Sequence, residues 1–369
     1  MNKFLIDLKK KVAQSKKNNF GLENYDEYRY GKYTPPKTFV EAPVNFLKQI
    51  VKRLIGYESI KLEKWIDGHE EGLMAVYEKL NNAGQELLID LITFRFLGYR
   101  HVKLKRNNKE YWNAIDSGNS MADTNDTYDP HFMGIVLDKI DLNPLGYDIK
   151  FYFTGYAVAI DFILEQYAYK NEGKTIVDVA QGDVVIDAGA CWGDTALYFA
   201  HKTGSLGTVY SFEFIPDNIK LFNKNRSLNP HLADRMKLIE HPLFHTSDIN
   251  IYYKDNGPGS RVAFNPFDTQ TGTTTTISID DFVKSNNIEK VDFIKMDIEG
   301  AETSALNGAI ETIKRFKPKL AIAIYHSLVD MYNIPELILS LNLGYEIFID
   351  HFTLHEEETV CYAKIMNTV

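Results

Sequence analysis

Cysteine is scarce in this chain: two among 369 residues, Cys191 and Cys361, far apart in sequence. Two such thiols build neither a disulfide framework nor a cysteine zinc site, and a reducing, cytoplasmic setting is the natural expectation. Long apolar runs are absent as well. No stretch reaches the roughly 18 apolar residues of a transmembrane segment, and the opening MNKFLIDLKKKVAQSKKNNF lacks the apolar centre of a signal peptide. Positive charge is not in excess: the net charge is −9, which argues against a general nucleic-acid binder that must neutralise phosphates. What the chain does have is 44% hydrophobic and 25% charged residues, the balance of a folded rather than a disordered protein. In the opening segment Phe4, Leu5, Leu8 and Val12 share a helical face among lysines. That face suits a surface helix packed on its own protein, the alternative being an anchor on a membrane surface.

The pattern changes near residue 175. Before it, helical periodicity dominates. Phe46, Leu47, Ile50, Val51, Leu54 and Ile55 form one stripe in NFLKQIVKRLI, and ELLIDLITFRFLGY repeats the theme at 86–99. VAIDFILEQYAYK reads as a helix over 158–170, while DPHFMGIVLDKIDLNPLGYD reads as loops and short strands. From 182 onward strands alternate with helices, the strands expected at 183–188, 208–214, 236–241, 291–297, 319–326, 345–350 and 359–365. Short apolar runs joined by helices specify a parallel α/β sheet; the last two strands, close in sequence, read as an antiparallel edge hairpin. GAETSALNGAIETIKRF reads as one helix.

The first strand opens into DVVIDAGACWGDTALYFA (183–200), a strand–turn–helix of the kind that cradles a cofactor. A dinucleotide fingerprint needs three glycines, each with a steric duty; here Cys191 and Asp194 fill the second and third places. No P-loop Gly-Lys-Ser/Thr follows either. What remains is Asp187 before Gly189, then Gly193, Asp194 and Thr195. A carboxylate there suits a cationic ligand better than a pyrophosphate. S-adenosylmethionine carries an ammonium and a sulfonium and has no phosphate. The second strand ends in SFEF, so Glu213, beside Phe214, is placed to accept both hydroxyls of an adenosine ribose. That ribose is common to NAD and S-adenosylmethionine; the missing glycines favour the latter.

These segments, VIDAGACWGDTALYFA, FEFIPDNIKLFNKNRSLN, ISIDDFV and VDFIKMDIEGAETSALNGA, resemble the FkbM family of S-adenosylmethionine-dependent methyltransferases over about 165–365. The turn departs slightly, with Cys191-Trp192 where a small polar and an aliphatic residue are commoner. The resemblance implies a class I methyltransferase fold, a Rossmann-like seven-stranded sheet of order 3-2-1-4-5-7-6 with the last strand antiparallel. It also implies O-methylation of a hydroxyl, commonly on a sugar. Helical extensions like the one here occur in bacterial members, a cue to a surface glycan or its nucleotide-linked precursor as acceptor.

Strands four and five of such a sheet end beside the cofactor crevice, at Asp297 and Glu299 of KMDIEG and at His326 of AIYH. Three assignments stay open. His326 is a general base of near-neutral pKa with Asp297 orienting acceptor or base; or the three residues hold a divalent ion such as magnesium; or Glu299 caps a helix from Gly300 and His326 bonds a loop. Glu302 is expected to stabilise the positive end of that helix. An Asp-Ile-Glu-Gly turn in place of Asn/Asp-Pro-Pro-aromatic disfavours methylation of nucleobases. Arg100, Lys103, Lys105, Arg106 and Lys109 cluster in RHVKLKRNNK, a solvated loop or a grip on a substrate phosphate. Gln166 and Tyr167 are expected to close over the cofactor or to pack the core. The chain thus divides at about 170, with 1–170 mainly helical, a substrate lid or homo-oligomer interface, and 171–369 the cofactor-binding domain.

Overall fold

The computed structural model describes residues 2–34 and 57–366. The stripe expected over 46–55 lies outside them.

The expected strands form one seven-stranded sheet. Its strands are β6 (Val184–Ala188), β7 (Thr208–Phe212), β8 (Met236–Ile239), β12 (Phe293–Met296), β13 (Lys319–Ala323), β14 (Tyr345–His351) and β15 (Thr359–Ile365). They lie in the order β14-β15-β13-β12-β6-β7-β8. Pairing is parallel throughout except at β15, which runs antiparallel to both β13 and β14. This is the 3-2-1-4-5-7-6 order of the class I methyltransferase fold. The terminal hairpin exists as expected, with its second strand inserted inward so that β14 forms the edge. Because the strand period is two, Val185, Phe293 and Ala321 face one hydrophobic layer while Ile186, Ile294 and Ile322 face the other.

The N-terminal region packs on both layers. The helix Lys3–Ser15 starts at Asn2, whose side chain accepts from Leu5 N, and it buries Phe4 and Leu8. Leu5 and Val12 pack alongside, so the apolar face of this helix is turned to its own protein. The helix Asn82–Leu97 begins at Asn81 and ends at Gly98, whose φ of 72° lets the chain leave the helix. These two, with Tyr57–Lys79, share a core with Ile186, Ile294 and Ile347 of the sheet. On the other layer Tyr111 and Ile115 of the helix Lys109–Ser120 join Phe151, Val185 and Phe293. Among the described residues no helix is long and apolar enough to cross a membrane.

Several local expectations are corrected. The loops and short strands expected around 129–148 include β2 (Leu137–Asp141); not expected were its antiparallel partners β1 (Ala122–Tyr128) and β3 (Lys150–Phe153), nor the pairing of β4 (Tyr169–Asn171) with β5 (Lys174–Val177). The helix expected over 158–170 is Gly155–Val158 continued as a π turn through Ile163; Glu165 at φ 53° turns the chain out. The helix expected from Gly300 is two helices, Glu302–Asn307 and Ile310–Phe316. They part at Gly308, where a Cβ would lie 2.3 Å from the Phe244 carbonyl oxygen. A third small sheet, β10 (Arg261–Ala263), β9 (Asn250–Lys254) and β11 (Gly272–Thr275), follows β8.

Candidate cofactor and acceptor site

The site gathers at the carboxyl ends of β6, β7, β12 and β13, around a cavity of about 500 Å³. Gly189, Glu213, Asp297 and Glu299 are among its walls. Two glycines shape the turn after β6. Gly189 has φ 81°, and a Cβ there would come within 1.9 Å of the Asp297 carbonyl oxygen, so only glycine permits this approach of β6 to β12. Gly193, φ 89°, is pressed by the Phe222 ring, which a Cβ would meet at 2.9 Å.

Asp187 sits deeper than the sequence suggested. Its carboxylate is fully buried and accepts from Thr195 Oγ1 at 3.0 and 3.1 Å and from Ser211 Oγ at 3.1 Å. Lys295 Nζ lies 3.3 Å from Asp187 Oδ1 and donates to the Gly189 carbonyl at 2.7 Å and the Ala188 carbonyl at 3.2 Å. Asp187 and Thr195 are therefore partners of one another and of Lys295, and neither is among the cavity walls. Burial works against the Lys295 charge, but Asp187, Asp297 and Asp194 around it outweigh that and hold its pKa above the usual lysine range. Asp194 opens the helix Asp194–Thr203 where a pyrophosphate would rest on a dinucleotide turn. Its carboxylate, pushed up to about 6 chiefly by burial, would repel one.

Glu213 is buried at the end of β7. Oε1 accepts from the Phe214 and Ile215 amides at 2.6 and 2.8 Å, and Oε2 accepts from Asn218 Nδ2 at 3.0 Å. A carboxylate has about four acceptor positions, so one is left, on Oε2, where the sequence led to an expectation of room for two hydroxyls. Burial raises the Glu213 pKa while these three bonds counteract it.

Asp297, Glu299 and His326 come together as expected. His326 Nε2 lies 3.5 Å from Asp297 Oδ1 and 3.6 Å from Glu299 Oε2, and Nδ1 lies 3.2 Å from Glu302 Oε1. The near-neutral pKa expected of His326 is corrected. Burial alone would lower it, but Glu302, Asp297 and Glu299 raise it to about 9, so the ring is an imidazolium at neutral pH. Both ring nitrogens are buried without a well-directed hydrogen bond, which makes the attraction ionic. Asp297 is fixed from two more sides: Tyr325 Oη donates at 3.0 and 3.1 Å, and Tyr167 Oη at 3.2 Å. Glu299, at φ 56°, caps no helix; its largely exposed side chain stands at the cavity wall. Glu302 does the local tying instead, Oε1 accepting from the Ile298 amide at 2.7 Å and the Gly300 amide at 3.4 Å.

Residues 187–347 match the family model of the methyltransferase FkbM domain. Over these residues the chain is similar to that methyltransferase domain. Among solved structures it is similar to a methyltransferase FkbM from Methylobacillus flagellatus at 21% identity and TM-score 0.44, covering 74% of this chain and 65% of that one. It is also similar to the Aeropyrum pernix fibrillarin with natively bound S-adenosyl-L-methionine, at 13% identity and TM-score 0.33, covering 64% of this chain and 96% of that one. A putative rRNA-methylase from Clostridium thermocellum aligns at 17% identity and TM-score 0.33, over 52% of this chain and 90% of that one. No curated protein matches significantly.

Two buried acids outside the motifs named above, Glu358 and Asp161, feel the charge of Asp297. Glu358 accepts from Gln166 Nε2 at 2.5 Å, and its pKa is pushed up to about 8 by burial and then by Asp297. Gln166 also donates to Tyr167 Oη at 3.2 Å, so both residues expected to close over the cofactor are buried and wired to Asp297. Asp161, in the apolar stretch VAIDFIL, is raised by burial and by Asp194 and Glu358. Of the basic loop, Lys105 pairs with Glu86, Arg106 with Asp350 at 3.2 Å, and Arg100 donates to Tyr99 Oη at 3.3 Å. Lys105 and Arg106 thus tether the loop to the fold, while Arg100 bonds its own neighbour.

Proposed function

We propose that this chain transfers the methyl group of S-adenosylmethionine to a hydroxyl, that of a sugar in a bacterial surface glycan or its nucleotide-linked precursor. The observation that carries the proposal is the polarity of one cavity. Glu213 stands at one part of its wall with an acceptor position free for a ribose hydroxyl, and Asp297 and Glu299 stand at another, where negative charge suits a sulfonium. The carboxylate of Asp194 disfavours the NAD alternative. A scaffold without catalysis has no use for a half-buried Asp297 that two tyrosines hold at the cavity wall beside an imidazolium.

Bound S-adenosylmethionine supplies an electrophilic methyl group whose C–S bond breaks, its electron pair remaining on sulfur, as the acceptor oxygen–carbon bond forms. Asp297, its pKa raised by burial, is suited to take the proton that the acceptor hydroxyl loses. His326 as imidazolium, with Tyr167 and Tyr325, holds that carboxylate in place and counters the neighbouring negative charge. Glu299 orients the acceptor.

The test is transfer of labelled methyl to a panel of sugar glycosides and nucleotide sugars, with and without EDTA. Asp297→Asn is expected to lower kcat by about a hundredfold or more with S-adenosylhomocysteine affinity kept, and EDTA to change nothing. Loss of activity in EDTA restored by magnesium would replace the proton-acceptor role with a metal held by Asp297, Glu299 and His326. An unchanged rate in Asp297→Asn would remove Asp297 from the chemistry.

A further inference from the structure

The turn between β14 and β15, residues 352–358, opens at the carboxyl end of β13. The pairing requires this: β15 is antiparallel to both neighbours, so β14 runs with β13 and ends on the side of Tyr325 and His326. Arg95 ties the two loops together, its Nη2 donating to the Tyr325 carbonyl and, at 3.1 Å, to the Glu356 carbonyl. Tyr325 is one of the two tyrosines that hold Asp297. Onto this turn folds the N-terminal segment NYDEYRY (24–30), fastened by Asn24, which donates to the Tyr99 and Val102 carbonyls at 2.5 and 2.6 Å. Arg29 pairs with Glu357, and Tyr30 stands edge-on to His355 with ring centres 6.1 Å apart. Tyr28 stacks on Tyr156 at 5.0 Å, and Tyr156 Oη is 3.4 Å from His355 Nε2, so the two tyrosines flank one pair. Their rings are 51% and 49% exposed. Scattered apolar exposure is ordinary, but these two rings border paired arginines and glutamates beside the acceptor end of the site.

We propose that Tyr28 and Tyr30, with Arg29, Glu356 and Glu357, form an outer subsite for the neighbouring sugars of a neutral glycan whose hydroxyl is methylated beside Asp297. The inference rests on the sugar methyltransferase reading above and chooses between its two acceptors. A pyranose has a face of C–H groups, apolar and slightly positive, which gains on the negative face of an aromatic ring. Its rim of hydroxyls suits planar carboxylate and guanidinium groups. Both kinds of partner stand side by side here. A nucleotide-linked sugar brings a diphosphate instead, which calls for positive charge not already paired. On this surface Arg29 is paired with Glu357, and Arg95 with Glu356 at 3.5 Å. Glu213, Asp297 and Glu299 line the cavity and, among the described residues, no lysine or arginine does. Burial raises the Glu299 pKa, and Glu357 is among the charges that add to this, so turn and cavity share one field. That field repels an anionic acceptor and leaves a neutral one unopposed.

The test is labelled methyl transfer to methyl hexosides, to neutral di- and trisaccharides of the same hexoses and to UDP-hexoses, by wild type, Tyr30→Ala and Tyr30→Phe. Because Tyr30 is half in solvent, neither change opens the core, and equal melting temperatures and equal S-adenosylhomocysteine affinities check this. Wild type is expected to prefer a trisaccharide to the hexosides and to the UDP-hexoses. That preference, in kcat/KM, is expected to fall about tenfold in Tyr30→Ala through a higher KM, and to stay within about twofold of wild type in Tyr30→Phe. An unchanged preference in Tyr30→Ala, an equal loss in both variants, or better use of UDP-hexoses overturns the subsite while the methyltransferase reading stands. No transfer to any saccharide by a protein that binds S-adenosylhomocysteine strikes the sugar acceptor itself, and the subsite with it.

Discussion

At the scale of single residues, His326 carries the sharpest consequence. Its folded pKa of about 9 lies above the ordinary imidazole value of 6.5, so the ion pairs with Glu302, Asp297 and Glu299 stabilise the fold fully below about pH 6.5. That contribution is lost as the pH rises through about 9. Proton NMR of the His326 ring is expected to titrate with a midpoint near 9; a midpoint near 6.5 would mean that the three carboxylates do not hold it. The meeting of Asp297, Glu299 and His326 was readable from sequence because strand ends in a parallel sheet point to one crevice. The charge state of His326 was not. It depends on Glu302, which sequence assigns to the helix start and the fold turns inward to 3.2 Å from Nδ1. Asp187 shows the same limit: an acid at a strand end reads as a ligand contact until the fold reveals a lysine facing it.

At the scale of elements, that lysine joins β6 to β12. Lys295 lies in the run FIKMD, where one charge among apolar residues reads as an exposed position. On a central strand both faces are covered, so the ammonium is buried and must find partners: Asp187 and the carbonyls of Ala188 and Gly189. Lys295→Met leaves the Asp187 carboxylate buried without its cation, and a loss of about 3–5 kcal/mol in urea unfolding is expected. Adding Asp187→Asn is expected to recover part of it. Equal stability of Lys295→Met and wild type would contradict the pairing. The strands of the main sheet were legible because their apolar runs are short and separated by helical periods. The small sheet that follows β8 was not, since IYYKDNGPGSRVAFNP mixes tyrosine, charge and turn residues without clear alternation. The same holds for β1, whose ADTNDTY has no apolar face to announce it.

At the scale of the whole molecule, the N-terminal region is part of the sheet's packing. Phe4, Leu73 and Ile92 lie in one core with Ile294 and Ile347, and Tyr111 and Phe151 in the other with Phe293. Arg95 of the helix Asn82–Leu97 donates to the carbonyls of Tyr325 and Glu356, so that layer also braces the loop carrying His326. Sequence periodicity showed apolar stripes in these helices but could not say what covers them, because a stripe facing its own sheet and one facing a second copy look alike. The claim on which all else depends is that the cavity between Glu213 and Asp297 holds S-adenosylmethionine. Calorimetry with S-adenosylhomocysteine on wild type and Glu213→Ala tests it most directly. Micromolar binding by the wild type, weakened about tenfold to a hundredfold by the substitution, is expected. A wild-type protein that binds no S-adenosylhomocysteine would contradict it.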